Sequence, residues 1–177
     1  MDGDVEQRLA RLEARLQLQE LLGRYALAVD DHDAEALAEC FTEDAVFSSP
    51  NSPSTVGRAV VVEFFRERFD RYGPTLHVPH FQVLHELGAR AARGTVVAHA
   101  ELATAGDTLV TVFRYEDGYA FDGERWRFSR REVRTLYAMP LRDLAAGGLS
   151  WRERKRWPGV APSTAELPPP PGPGIRP

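Results

Sequence analysis

Four long segments in the second half of the chain have the composition of β-strands, because they are rich in valine, threonine and aromatic residues. They span residues 75–87, 93–104, 107–121 and 124–138. The connections between them are short and contain turn-forming pairs such as Ala105-Gly106 and Asp122-Gly123. Consecutive long strands joined in this way predict an antiparallel meander, and a sheet of this size needs other elements to cover one of its faces.

The first half of the chain supplies three predicted helices that can cover the sheet. Apolar side chains recur at helical spacing along the first helix, at Leu18, Leu22, Tyr25 and Val29. A short second helix follows the N-cap residue Asp33, residues 44–47 form a short strand, and a third helix covers residues 58–72. The predicted fold is therefore α+β, with three N-terminal helices on a strongly curved, mostly antiparallel sheet. The space between the two layers holds either apolar side chains or a ligand.

The segments on either side of this region set the predicted domain boundaries. Residues 1–17 form an N-terminal helix extension whose narrow apolar stripe suits either a solvated helix or a dimer contact; the stripe contains Leu9, Leu12 and Leu16. The α+β barrel domain is expected to cover residues 18–140. Residues 141–157 predict a short basic segment with solvated side chains, and the proline-rich residues 158–177 predict a disordered tail.

Composition limits the partners and the cellular location. The formal net charge of -4 gives nucleic acid no broad basic face. Cys40 is the only cysteine, which excludes an internal disulfide and fits a reducing cytoplasm. The N-terminal residues have no features of an export signal, and no apolar run is long enough to cross a membrane. We therefore expect a cytoplasmic protein without nucleic-acid or membrane partners, and a homodimer, because the sheet leaves one face open.

Four polar or aromatic residues are candidates for catalysis. Asp30 lies at the edge of the apolar stripe of the first helix, where a carboxylate makes sense only beside a pocket. His77 lies in the first long strand and His99 in the middle of the second, where it interrupts small apolar residues. Each histidine could instead be hydrogen-bonded within a core, and Tyr25 could be a core aromatic residue. Strand alternation predicts that His77 and Phe81 share one face.

Motifs for other chemistries are missing from the sequence. It has no cysteine pair, no helical His-Glu-x-x-His and no calcium-loop spacing, so a metal site has little support. It also has no Gly-x-Ser-x-Gly and no glycine-rich phosphate loop. Acid–base chemistry without a metal or cofactor remains, and a carboxylate bonded to an imidazole suits it by fixing the tautomer of the ring. We therefore predict that Asp30, His77 and His99 converge in an apolar pocket.

Several motifs between Leu18 and Tyr137 follow one another in a recognisable order. They are residues 22–33, residues 41–47, Gly57, Leu76-His77-Val78 and residues 123–128. Their succession resembles the SnoaL-like branch of the nuclear transport factor 2-like superfamily, which implies a cone-shaped, cystatin-like fold with a deep apolar pocket. The branch includes dehydratases of the scytalone and bile-acid 7α types, whose site contains a tyrosine, an aspartate and two sheet residues. By similarity, these match Tyr25, Asp30, His77 and His99.

The resemblance implies a cofactor-independent dehydratase, isomerase or cyclase that acts on a hydrophobic cyclic carbonyl compound of polyketide or steroid type. In such a dehydratase a base removes a proton α to the carbonyl, tyrosine polarises the enolate, and hydroxide leaves. The superfamily also contains non-catalytic members, so a ligand-binding or assembly subunit is the alternative. The side chains expected in the pocket are Phe47, Phe65, Phe81 and Val97. They would contact the substrate of an enzyme, or fill the pocket of a non-catalytic subunit.

Overall fold

The computed structural model describes residues 2–50 and 52–167. The first half of the chain is mainly helical. The elements of this half are α1 (Asp2–Asp30), α2 (Ala34–Glu39), β1 (Phe41–Ser48), β2 (Thr55–Val56) and α3 (Arg58–Phe69). Four long strands follow, and then two short helical segments. These elements are β3 (Thr75–Leu87), β4 (Ala91–Thr104), β5 (Asp107–Phe121), β6 (Trp126–Pro140), α4 (Leu141–Ala145) and a 3₁₀ turn (Gly148–Ser150). The described helices include none with both the length and the apolar composition needed to cross a membrane.

The strands form one six-stranded sheet in the order β2-β1-β6-β5-β4-β3. Strands β3 to β6 are the predicted antiparallel meander, while β1 runs parallel to β6. The three N-terminal helices pack on this curved sheet, so the predicted α+β fold is confirmed.

Helix α1 places the first candidate residues against the sheet. Its buried face consists mainly of Leu18, Leu21, Leu22, Tyr25 and Val29. The helix ends where His32 adopts a left-handed backbone conformation with φ of 56°. Asp33 then caps α2, and its side chain accepts hydrogen bonds from the backbone N–H groups of Glu35 and Ala36. The predicted N-cap is confirmed, and this turn leaves Asp30 on the last turn of α1, beside the start of β3.

Bulges in β3 and β6 change which side chains face the helices. His80 on β3 has no partner on β4, because Pro79 pairs with Ala98 and Phe81 with Val97. An extra residue of this kind reverses the alternation of side chains beyond it and increases the twist of the strand. Gln82 therefore takes the inward position that strict alternation would give to Phe81. Strand β6 contains two similar irregularities, opposite residues 112–113 and 118–119 of β5.

The C-terminal segment differs from the expected solvated region and tail. After the 3₁₀ turn the chain returns to β6, where Lys155 bridges Ala138 and Ser163. Arg154 is buried because its guanidinium donates to the carbonyl oxygens of Leu136 and Leu167. Residues 163–167 thus attach to the domain, because Ser163 pairs with Lys155 while Glu166 and Leu167 hydrogen-bond to the backbone of Thr135 on β6. The rest of the predicted tail, residues 168–177, lies outside the described residues.

Cys40 is expected to resist thiol reagents in the folded protein. The side chain is buried, and its thiol donates to the carbonyl oxygen of Ala36 at 3.5 Å. Burial raises the pKa of the thiol from 9.0 to about 11, which lowers the reactive thiolate fraction about 100-fold near neutral pH. Mass spectrometry of iodoacetamide labelling at pH 7.5 should show fast modification only in denaturant. Equal labelling rates in the native and unfolded protein would contradict the buried position.

Candidate active site

A cavity lies between the concave face of the sheet, helices α1 and α3, and the C-terminal segment. Its volume is about 200 Å³. The wall is largely aromatic and includes Tyr25, Phe47, Phe65, Phe69, Phe113 and Tyr115. Of the four predicted pocket residues, Phe47 and Phe65 therefore lie in the wall. The space between helices and sheet is not filled by side chains, in contrast to the arrangement expected of a non-catalytic subunit.

Asp30 and His77 meet at this wall. The carboxylate oxygen Oδ1 of Asp30 lies 2.6 Å from Nδ1 of the His77 ring, and Oδ2 accepts the backbone N–H of His77 at 2.7 Å. The hydroxyl of Thr75 donates to Oδ1 at 2.8 Å. Both side chains are mostly buried, with 14% of Asp30 and 18% of His77 exposed. His77 and Thr75 line the cavity, with Asp30 bonded to both.

These contacts orient the His77 ring and keep the carboxylate charged. Burial alone would raise the pKa of Asp30, but hydrogen bonds from the ring and backbone of His77 and from Thr75 hold the pKa below its ordinary value. An ionised carboxylate only accepts hydrogen bonds, so this contact selects the ring tautomer that has its proton on Nδ1 and a lone pair on Nε2. The Asp30–His77 pair can therefore act as a general base, and Asp30 can stabilise the imidazolium that forms.

His99 does not join this pair. Strand register pairs His77 with Ala100 and places His99 opposite Val78, so the two histidines point to different faces of the sheet. On the outer face, Nδ1 of His99 lies 2.9 Å from Nε2 of His80, and the two rings stack with centroids 4.9 Å apart. The predicted convergence of Asp30 and both histidines is therefore wrong for His99.

Phe81 and Val97 also lie on the outer face, so their predicted place in the pocket is wrong. They pair with each other across β3 and β4, and 58% of Phe81 is exposed. For Phe81 the reason is the bulge at His80, which reverses the alternation of β3 between His77 and Phe81, whereas Val97 shares the outward face of β4 with His99. Beyond the bulge, Gln82 faces inward and donates to the hydroxyl of Tyr119 at 2.9 Å.

Tyr25 and Tyr115 contribute two phenols to the cavity wall. Their rings meet edge to face with centroids 6.0 Å apart. Burial raises the pKa of both phenols, so both hydroxyls keep their protons at neutral pH. A protonated phenol in a dry wall can donate to an oxygen that gains negative charge. The sequence pattern points to Tyr25, whereas no comparable signal marks Tyr115 on β5.

An ion pair that sequence analysis missed lies beneath these phenols. Nε and Nη2 of Arg131 donate to the two carboxylate oxygens of Asp117 at 2.9 and 2.7 Å, and the two side chains are 1% and 0% exposed. The guanidinium lies 3.8 Å from the ring centroid of Tyr115 and 4.3 Å from that of Tyr25. Burial would lower the pKa of Arg131, but the charge of Asp117 raises it. Strict alternation with Tyr115 and Tyr119 could have indicated that Asp117 faces inward.

The C-terminal segment closes one side of the cavity with Trp157, Pro158 and Val160. Within residues 2–50 and 52–167, the indole Nε1 of Trp157 is the only fully buried side-chain nitrogen or oxygen atom without a hydrogen-bond partner. Arg68 and Arg71 contribute positive charge to the wall, and the described lining contains no carboxylate. The described residues also include no group of three His, Cys, Asp or Glu side chains arranged for a metal ion.

Solved structures with the same fold include enzymes of elimination reactions. A provisionally assigned scytalone dehydratase from Novosphingobium aromaticivorans is 20% identical over 73% of this chain and 89% of its own, with a TM-score of 0.69. The hexachlorocyclohexane dehydrochlorinase LinA-type3 from Novosphingobium barchaimii is 20% identical over 76% of this chain and 94% of its own, with a TM-score of 0.70. Such identities establish a shared fold.

Three further findings bear on the family of this chain. A protein of unknown function from Mycobacterium tuberculosis is 25% identical over 74% of this chain and 75% of its own, with a TM-score of 0.65. No curated protein matches the chain. The family comparison is decisive, because residues 10–132 match the SnoaL-like domain and extend from within α1 into β6, with the Asp30–His77 pair between them. This chain belongs to the SnoaL-like family.

Proposed function

We propose that this protein is a cofactor-independent acid–base enzyme that eliminates water or a comparable leaving group from a hydrophobic cyclic carbonyl compound. The observation that carries the proposal is the hydrogen-bonded Asp30–His77 pair at the wall of an aromatic cavity. The pair replaces the Asp-His-His site expected from sequence, because His99 lies on the outer face.

The chemistry needs one base and one set of hydrogen-bond donors. Nε2 of His77 removes a proton from the carbon next to the carbonyl, and the electrons of that C–H bond form an enolate. The phenol of Tyr25 donates to the enolate oxygen, and Tyr115 donates in turn to the phenol oxygen of Tyr25. The enolate then re-forms the carbonyl, the C–O bond at the β-carbon breaks, and hydroxide leaves with the proton returned by His77. Because one ring takes and returns the proton, both groups leave from the same face.

The volume and the wall of the cavity limit the size and the polar groups of the substrate. An apolar cavity of roughly 150 Å³ accommodates benzene, so a cavity of about 200 Å³ suits one substituted ring or a compact fused pair. Aromatic side chains can pack on the faces of such a ring. Arg68, Arg71 and the unpaired Nε1 of Trp157 favour oxygen atoms on the ring substituents. The described lining has no carboxylate to repel the enolate.

The relatives support an elimination more than other acid–base reactions. One is described as a dehydratase and another as a dehydrochlorinase, and both names denote loss of a small molecule from a larger one. Isomerisation and cyclisation begin with the same proton abstraction, so the Asp30–His77 pair would serve them as well.

The substitution Asp30→Asn should abolish most of the proposed activity. The introduced amide cannot stabilise the imidazolium, and it allows the wrong ring tautomer, so the expected loss in kcat/KM is on the order of 10²–10⁴-fold. The assay follows the ultraviolet absorbance of the conjugated product from a panel of cyclic β-hydroxy ketones. Asp31→Asn is the matched control, since Asp31 is the exposed neighbour. Similar rates for Asp30→Asn and wild type would refute the assigned role.

A further inference from the structure

Helix α1 carries a second apolar stripe that does not face its own domain. The stripe consists of Val5, Leu9, Leu12 and Leu16, each more than half exposed. The domain-facing side of the same helix contains the partly buried Ala14 and the buried Leu18 and Leu21. At about 100° per residue, the two stripes lie on opposite sides of the helix. The exposed stripe therefore contributes nothing to the core of this chain.

The spacing of the exposed stripe is that of a coiled coil. Successive members are four, three and four residues apart, which assigns Val5 and Leu12 to position d and Leu9 and Leu16 to position a of a heptad. The flanking positions carry opposite charges. Position g holds Arg8 and Arg15, and position e holds Glu6, Glu13 and Glu20.

We propose that two copies of this chain associate through residues 5–20 as a parallel two-stranded coiled coil. In a parallel pair each g position faces the next e position of the second helix, so Arg8 meets Glu13 and Arg15 meets Glu20. An antiparallel pair would instead place arginine against arginine and glutamate against glutamate. The charge pattern therefore selects both the partner, a second copy, and its direction.

The structure is compatible with this arrangement. Each domain lies on the side of α1 opposite the exposed stripe, so the two domains can lie at the same end of a parallel pair without separating the stripes. The helix is continuous from Asp2 to Asp30 and is anchored by buried residues from Leu18 onwards. Such preorganisation lowers the entropy loss that makes a short isolated coiled coil marginal. The ion pairs Arg8–Asp4 and Arg24–Glu20 within the helix are exposed, at 4.0 and 3.5 Å, and compete weakly.

Sedimentation velocity of the full chain at micromolar concentration tests whether the exposed stripe forms a dimer contact. We expect wild type to sediment as a dimer and the double variant Leu9→Asp/Leu16→Asp to sediment as a monomer. The control Gln7→Asp/Ala10→Asp adds the same charge at exposed positions outside the stripe and should remain dimeric. Circular dichroism verifies that both variants stay folded. A wild-type monomer, a larger oligomer, or a dimer that survives Leu9→Asp/Leu16→Asp would overturn the proposal.

Disulfide cross-linking of Val5→Cys tests the direction. In the parallel pair the two introduced thiols are neighbours, and mild oxidation should link most of the dimer. In an antiparallel pair Val5 would lie opposite Leu16, roughly 16 Å from its counterpart, and no link would form. Wild type provides the background, because its only cysteine, Cys40, is buried. A dimer that disperses with Leu9→Asp/Leu16→Asp but fails to cross-link would overturn the parallel arrangement.

Discussion

Replacing His77 with glutamine is expected to lower kcat/KM for the proposed elimination by about 10²–10⁴-fold. Glutamine retains a hydrogen-bonding side chain of similar reach, but its amide cannot accept a proton from carbon at neutral pH. The Asp30 carboxylate would still accept the backbone N–H at position 77, so the local fold should survive. Initial rates across a range of substrate concentrations would separate the loss in kcat from any change in KM.

His99→Gln is the matched control for this experiment. It makes the same chemical change on the neighbouring strand, but His99 contacts His80 on the outer face of the sheet. Its kcat/KM should remain within roughly threefold of wild type, since surface substitutions away from a site have small effects. If both variants lost activity equally, or only His99→Gln did, the base would not be the Asp30–His77 pair.

Replacing Asp117 with asparagine is expected to destabilise the fold by about 3–5 kcal/mol. The substitution keeps the size of the side chain but leaves the guanidinium of Arg131 buried and without its counter-charge. The hydroxyl of Tyr119 would also lose a charged acceptor, to which it donates at 2.8 Å. Urea denaturation monitored by tryptophan fluorescence gives the change in free energy of unfolding.

Two further variants separate the buried charge from general effects of mutation. Glu132→Gln removes the partner of Arg130 in an exposed pair and should change the free energy of unfolding by less than about 1 kcal/mol. The double variant Asp117→Asn/Arg131→Met removes both charges and should recover part of the stability that Asp117→Asn loses. Equal changes in the free energy of unfolding for Asp117→Asn and Glu132→Gln would show that the buried Arg131 does not need the charge of Asp117.

The fold could be predicted because its elements have clear periodicity. Helical spacing locates the buried face of α1, and long valine- and threonine-rich segments with short turns locate the strands of the meander. The parallel pairing of β1 with β6 was not predicted, since a pairing between residues more than 80 positions apart leaves no local pattern. The path of residues 151–167 was missed for the same reason, because their contacts with β6 are tertiary.

The site could be predicted only in part, because strand register decides which residues meet. Asp30 and His77 were identified from residue type and position, and the structure brings them within 2.6 Å. Because His77 pairs with Ala100, the adjacent His99 points to the outer face of the sheet. The bulge at His80 places Phe81 on that outer face as well. Register and bulges depend on packing across the whole sheet, so composition and alternation alone cannot reveal them.

Proton exchange at carbon tests the central claim most directly, because it isolates the step assigned to His77. Cyclic β-hydroxy ketones and their parent ketones are incubated with enzyme in D₂O, and nuclear magnetic resonance follows the loss of the α-proton signal. The Asp30–His77 pair predicts rapid exchange with wild type and with His99→Gln, and exchange at the buffer rate with His77→Gln. Exchange that is equally fast with all three proteins, or no faster than buffer with wild type, would contradict the assignment of His77 as the base.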